Sequence, residues 1–206
     1  MTFDVFLIAS YIGAIAFALS GFIIGVRKNF DIMGVFIVSF LAANGGGILR
    51  DVFIGRMPLA ITDLSNVLIV IGTFFFGLAL HYMRSIDIER HKIFVISDSI
   101  GLAAFSVTGA LAGLDAGLGL FGVIVLSFLT ATGGGILRDL LINEIPLVLR
   151  SDFYGSVAVL AAISLYALYY FGLTDDVYII AAFIVLLGIR LLAYKMQWRL
   201  PSLKLK

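Results

Sequence analysis

The sequence predicts an all-α integral membrane protein of seven transmembrane helices, built as two inverted three-helix repeats followed by a seventh helix. Three observations carry that fold class. Of 206 residues, 62% are hydrophobic and 13% charged, about half the charged share of a soluble domain, and mean hydropathy is +1.14. Apolar runs recur near the length of roughly 20 residues that crosses the hydrocarbon core. A seven-residue motif occurs twice at a fixed offset, with an odd number of spans in each copy. The net charge of +1 offers no basic field for nucleic acid. The absence of cysteine excludes thiol catalysis, disulfides and cysteine-bound metal.

Charged residues punctuate the chain and set the elements in order. Spans are expected at 4–26, 32–54, 65–84, 93–114, 119–142, 153–173 and 176–194. The first reads as a transmembrane helix rather than a cleaved leader. Met1 to Asp4 has no basic segment, and the run from Val5 to Val26 ends in Arg27-Lys28 instead of small residues. Tyr82, Tyr154, Tyr169, Tyr170, Tyr178 and Trp198 fall near span ends, as an interfacial belt requires. If the spans alternate, Arg27, Lys28, Arg84, Arg90, Lys92, Arg150, Lys195, Arg199, Lys204 and Lys206 share one side. Asp4, Arg56, Asp115, Asp175 and Asp176 take the other. The positive-inside rule then sets the N-terminus outside and the C-terminus in the cytosol.

The repeat is the most specific feature. Gly45-Gly46-Gly47-Ile48-Leu49-Arg50-Asp51 returns as Gly133-Gly134-Gly135-Ile136-Leu137-Arg138-Asp139, 88 residues on. The same offset pairs Pro58 with Pro146, and Phe17, Ser20, Gly21 and Gly25 with Phe105, Thr108, Gly109 and Gly113. Between 40–61 and 128–149, 13 of 22 positions are identical, far beyond chance. Three spans per copy force the second to enter the membrane upside down, the plan of many transport proteins. The expected division is 1–88, 89–174, and 175–206 for the seventh helix and a cytosolic tail.

Three successive glycines inside a helix cost about 1 kcal/mol each relative to alanine. Kinks or breaks are therefore expected at Gly45, Gly46 and Gly47 and at Gly133, Gly134 and Gly135. Such breaks free carbonyls and amides to line a polar path near the midplane. The plainer alternative is close helix packing, which glycine permits. Gly21-xxx-Gly25 and Gly109-xxx-Gly113 are of that second kind, serving contacts within or between protomers.

Charged and polar candidates cluster around the triplets. Arg50-Asp51 lies toward the outer end of span two and Arg138-Asp139 toward the inner end of span five. Neighbouring helical residues point about 100° apart, so each Arg and Asp is expected to bond elsewhere rather than to each other. They either gate or tune a pathway at its mouths, or snorkel and pair structurally. Asp98, between Ser97 and Ser99 at the start of span four, reads first as a helix cap; its repeat mate is Ser10. Ser20 with Thr108, Ser39 with Ser127, and Asn44 with Thr132 are matched candidates to line a hydrated path. The competing role for each is a bond to its own backbone. His81 and His91 lack metal-ligand spacing, so no metal beyond a transient cation is expected, and no cofactor. The sequence holds no Ser-His-Asp set, Walker loop or HExxH motif, which points away from an enzyme.

The doubled GGGILRD motif, the AFxxS/TG stretches at 16–21 and 104–109, and the proline after each motif resemble the prokaryotic trimeric intracellular cation (TRIC) channel family. The same domain family includes bacterial proteins described as glycine transporters. The resemblance covers nearly the whole chain. It implies spans two and five kinked at the glycines, a homotrimer in a bacterial or archaeal cell membrane, a pathway inside each protomer, and conduction of monovalent cations, chiefly potassium. Family members often carry Asp where this chain has Ser10. The alternative function is a secondary transporter for glycine or another small amino acid, which the inverted repeat suits equally.

Overall fold

The computed structural model describes residues 3–83, 90–150 and 153–198; Arg84, Arg199, Lys204 and Lys206, used above for orientation, lie outside them. The described helices are α1 (Phe3–Arg27), α2 (Ile32–Phe53), α3 (Leu59–Thr62), α4 (Leu64–Met83), α5 (Arg90–Asp115), α6 (Leu120–Leu141), α7 (Leu147–Arg150), α8 (Gly155–Tyr170) and α9 (Asp176–Lys195). Six of them, α1, α2, α4, α5, α6 and α9, are long and apolar enough to cross a membrane; α8, at 16 residues, is a shorter apolar helix. Large apolar side chains such as Phe75, Phe76, Tyr170, Val177 and Ile184 lie exposed on the outer helices. In water that surface would be an aggregation liability; facing lipid it needs no covering. The chain is a multi-pass, all-helical membrane protein.

The turns obey the 88-residue offset. Asn29 and its mate Gly117 both take positive φ, 56° and 68°, and so do Gly55 and its mate Asn143, at 68° and 57°. Each stands just after a long helix, where a left-handed residue lets the chain reverse, and only Gly and Asn adopt that conformation cheaply. The short helices α3 and α7 were not foreseen. Each follows its repeat proline, Pro58 or Pro146, and its first amide is taken up by the motif aspartate: Leu59 N–H donates to Asp51 Oδ2 at 3.0 Å and Leu147 N–H to Asp139 Oδ2 at 2.8 Å.

Two symmetric crossings hold the halves together. In the first, α1 lies on α5: Gly13 meets the Phe105 ring and Gly101, its mate, meets the Phe17 ring. Those two rings lie 5.3 Å apart at the core centre. In the second, the triplets of α2 and α6 meet backbone to backbone. A Cβ on Gly46 would overlap the Thr130 carbonyl, and one on Gly134 the Ala42 carbonyl. A Cβ on Gly45 would stand 3.3 Å from Gly134 Cα, and one on Gly133 3.2 Å from Gly46 Cα. As numbers rise along α2 their partners fall along α6, so the two helices run antiparallel, and each contact reappears when its residues are exchanged by the offset. Gly21 and Gly25 seat α1 on α2, against Ser39 and Val35, and Gly109 and Gly113 seat α5 on α6, against Ser127 and Val123. The small-xxx-small pairs thus serve contacts within the protomer.

This corrects the expectation of helix breaks at Gly45–Gly47 and Gly133–Gly135. Both α2 and α6 are continuous α-helix through their triplets. The reason is the solvent. A break away from water strands backbone N–H and C=O groups at several kcal/mol each, whereas an unbroken glycine helix forfeits about 1 kcal/mol per residue. The plainer reading, close packing, describes what the glycines do.

Around this frame the halves differ. α8 packs broadly on both α5 and α6, while α4 packs on α1 and touches α2 only slightly. α9 adds a further cover over α5 and α8. α5 is the most enclosed of the long helices.

The crossing makes a sharp mutational contrast. Gly46→Ala and Gly134→Ala are expected to lower stability by about 1–3 kcal/mol, since the methyl group has only a carbonyl to displace. Gly47→Ala, whose Cβ would meet nothing closer than Arg50 Nη2 at 3.8 Å, is expected to be neutral or to stabilise by up to about 1 kcal/mol. Thermal unfolding in detergent measures all three.

Candidate functional site

The motif arginines end α2 and α6, and both are buried, at 2% and 0% exposure. Each lies along its neighbouring aspartate, contrary to the expectation that the two would bond elsewhere. Arg50 gives Nε to Asp51 Oδ1 at 2.8 Å and Nη2 to Oδ2 at 3.1 Å; Arg138 gives Nε to Asp139 Oδ1 at 2.9 Å. The 100° between adjacent residues holds at Cα, but the long arginine stem wraps the helix and cancels it. A ring covers each guanidinium: Phe6 at 5.0 Å from Arg50 and Phe94, its repeat mate, at 4.8 Å from Arg138. A delocalised cation over an aromatic face retains attraction where water is absent.

Asp51 and Asp139 therefore hold a guanidinium with one side and cap a short helix with the other. That geometry favours structural pairing for these four charges.

The second site carries one more charge. Asp98 is not a helix cap; it stands well inside α5, 1% exposed, and its Oδ1 accepts Arg138 Nη1 at 2.5 Å. Ser20 Oγ accepts the same Nη1 at 2.8 Å and donates to Phe17 O at 2.9 Å. The cap reading failed because α5 begins earlier than the apolar run does, at Arg90. A charge inside the span calls for a buried cation rather than free amides. Tyr154, the repeat mate of Asn66, closes this site: it is 1% exposed, Arg190 of α9 lies 4.8 Å over its ring, and a Cβ on Gly135 would come within 3.3 Å of its hydroxyl.

The first site is open. Ser10 replaces Asp98 and Asn66 replaces Tyr154, and between them lies a largely apolar cavity with polar groups set into its wall and space for a water-sized guest and little more. Ser10, Tyr11, Asn44, Gly47, Arg50, Asp51, Asp63 and Asn66 contribute to its wall. Asn66 Nδ2 donates to Asn44 Oδ1 at 2.7 Å, and Asn44 Nδ2 to Phe40 O at 3.1 Å. Tyr11 OH donates to Asp63 Oδ2 at 3.1 Å.

The remaining candidates are placed as follows. Ser39 donates to Val35 O, Thr108 to Phe105 O and Thr132 to Phe128 O, each the bond to its own helix that competes with a lining role. Ser127 instead joins three helices, bonding Ser106 O of α5 and Ala158 O of α8 from α6. The structure thus gathers Ser20, Asp98, Arg138 and Asp139 at one end of the crossing and Asn44, Arg50 and Asp51 at the other. Sequence reasoning missed Tyr11, Asp63, Asn66 and Tyr154. The offset, applied to Asn66 and Tyr154, is the signal that could have found the asymmetry.

Ion pairs also strap the ends of the two halves. Arg56 meets Asp115 at 2.6 Å, and Lys28 meets Glu144, the repeat mate of Arg56, at 2.7 Å; Arg150 joins Glu144 at 2.9 Å. Its bond from Lys28 and the charge of Arg150 hold the Glu144 carboxyl below the usual glutamate range, against the opposing effect of partial burial. Among the described residues, no group of three His, Cys, Asp or Glu side chains is placed to hold a metal ion.

Comparison with known proteins agrees with this architecture. A family model described as "Glycine transporter" matches residues 7–82 and again residues 95–170, the second match starting 88 residues after the first. The chain is 36% identical over 193 residues to the UPF0126 membrane protein YvgT of Bacillus subtilis, covering 94% of each. It superposes with a TM-score of 0.87 on a prokaryotic TRIC channel solved in 0.5 M KCl, at 29% identity over 97% of this chain and 100% of the other. A TRIC trimeric intracellular cation channel orthologue from Rhodobacter sphaeroides gives a TM-score of 0.86 at 30% identity, over 94% of this chain and 99% of that one.

The two arginine sites are expected to differ in the stability they supply. Arg138→Gln strands Asp98 as well as Asp139, and is expected to cost about 3–5 kcal/mol, the range for breaking a buried pair. Arg50→Gln, facing a single carboxylate beside a cavity, is expected to cost clearly less. Unfolding of the two variants side by side checks the order.

Proposed function

We propose, from the premise that this chain belongs to the glycine transporter family of membrane proteins and has the fold of the TRIC cation channels, that each protomer passes a monovalent cation, chiefly potassium, along the α2–α6 crossing. The observation that carries this reading is the cavity flanking Gly47 at that crossing, into whose wall Ser10, Asn44, Asp63 and Asn66 set polar groups. Oxygens and amides are expensive at such depth unless something polar uses them. The space suits a water or a bare alkali cation and is too small for an amino acid. Since the helices are unbroken, side-chain oxygens rather than freed carbonyls provide the polar part of the lining.

The finer arrangement follows the same reading. Seven spans result if α8, about 24 Å long at 1.5 Å per residue, crosses with α7 completing its depth. Lys28, Arg150 and Lys195 then face the cytosol, Arg56, Asp115, Asp175 and Asp176 face outward, and the N-terminus is outside. Residues 1–88 and 89–174 act as the two inverted halves. A homotrimer with one path per protomer is in keeping with the relative described as trimeric. No enzymatic step enters this account.

The second reading, a carrier for glycine, rests on the family's name and on the inverted repeat, which suits alternating access. Purified protein in liposomes separates the two. Fast potassium flux indifferent to glycine is the expected result; saturable glycine uptake without potassium conductance would replace the channel with a carrier.

A further inference from the structure

The two halves share a frame but differ in what fills it, and the difference has a chemical direction. In the second half, Asp98 and Asp139 both face Arg138, and the Tyr154 ring occupies the remaining space. In the first half, Arg50 and Asp51 neutralise one another, while Ser10 and Asn66 leave the cavity open. The looser contact of α4 with α2, against the broad contact of α8 with α6, matches the missing ring.

Most of the cavity wall is apolar, and a few oxygens are set into it. Ser10 is 8% exposed, yet its Oγ has no hydrogen-bond partner among the described residues. Ser20 and Ser39, elsewhere in the same helix pair, both bond a carbonyl of their own helix. Ser99 Oγ and Tyr154 OH in the second half share that condition, but of the three hydroxyls it is Ser10 that borders the open cavity, where a ligand or water can reach it. Asn44 and Asn66 bring amide oxygens, and Asp63 brings the charge that Arg50 does not cancel. Asp63 receives one bond from Tyr11 OH and one from Ser65 N–H, leaving acceptor capacity on both oxygens.

We infer that this cavity is a station where an alkali-metal cation sheds most of its water and is held by Ser10, Asn44, Asn66 and Asp63, whereas the matching place in the other half is closed by Tyr154. The inference rests on the channel reading above and deepens it. Hard neutral oxygens with a single uncompensated carboxylate suit a monovalent cation; a divalent ion at a protein site draws on more carboxylates and a larger ligand set. A water-sized space admits a bare ion and excludes an amino acid. One weak station is also what conduction needs, since a tightly held ion would not leave.

The test uses full-length protein in liposomes with radioactive rubidium as the probe, together with rubidium-dependent thermal stabilisation of the same preparations in detergent. Ser10→Ala and Asp63→Asn are expected to raise the half-saturating rubidium concentration roughly three- to tenfold, the scale of losing one ligand. Asn66→Tyr, which installs the side chain of its repeat mate, is expected to cut uptake about tenfold or more at every concentration. Rubidium is expected to raise the melting temperature of the wild type over that in choline, and to do so less in Ser10→Ala. Unchanged half-saturation and uptake in all three inserted variants, beside a conducting wild type, would overturn the station and leave the channel standing. A wild type that passes no rubidium would remove the channel reading; the melting comparison would then decide the station alone, and no rubidium effect there would overturn it.

Discussion

Inside a bilayer, apolar surface gains nothing by turning from lipid to protein, so helices must be held by close contact and by polar groups that lipid cannot satisfy. Here the close contact is made where Gly45–Gly47 of α2 crosses Gly133–Gly135 of α6, backbone against backbone, with no room for a Cβ on Gly46 or Gly134. That antiparallel meeting fixes the pseudo-two-fold relation of the halves. It also brings the ends of both helices, with their arginines, to opposite sides of one crossing. The flanking pairs, Gly13 on Phe105 and Gly101 on Phe17, repeat the device one layer away.

The motif charges are arranged so that each has a partner within the chain. Each motif arginine lies along its own aspartate and under a phenylalanine ring, and each aspartate spends its second oxygen on the first amide of a short helix. With Asp98 on Arg138, five buried charges and two helix starts are thereby satisfied within the chain. Such internal accounting is what an apolar solvent demands of every buried polar atom. Ser10 Oγ, one of several buried polar atoms without a partner among the described residues, is the one that borders the open cavity. The halves thus depart from their symmetry where one keeps a cavity and the other fills it.

Much of the architecture was legible in the sequence because the repeat is strong. The offset of 88 read from GGGILRD pairs the positions that the structure then treats alike, though the short helices after Pro58 and Pro146, the turns at Asn29 and Gly117 and the rings of Phe6 and Phe94 emerged only from the structure. The helix breaks were misread, since propensity measured in water penalises glycine runs while hydrocarbon penalises a broken ladder more. The pairing of Arg50 with Asp51 was misread because residue spacing describes Cα positions and not the reach of a guanidinium. Asp98 was misread because its buried partner, Arg138, is 40 residues away in sequence. Asn66 and Tyr154 carried no motif, and only their contrast across the repeat gives them meaning.

On the channel reading, the conducting route runs beside the crossing, through the cavity that Gly47 borders. The chain has no native cysteine, and Gly47 has room for a side chain, so Gly47→Cys is a clean reporter. Ionic silver, a thiol-seeking monovalent cation small enough for the cavity, is expected to modify the Gly47→Cys thiol in membranes and to block potassium flux as it does so, with the wild type insensitive. Full modification with flux intact, or no modification in a conducting protein, would contradict the route.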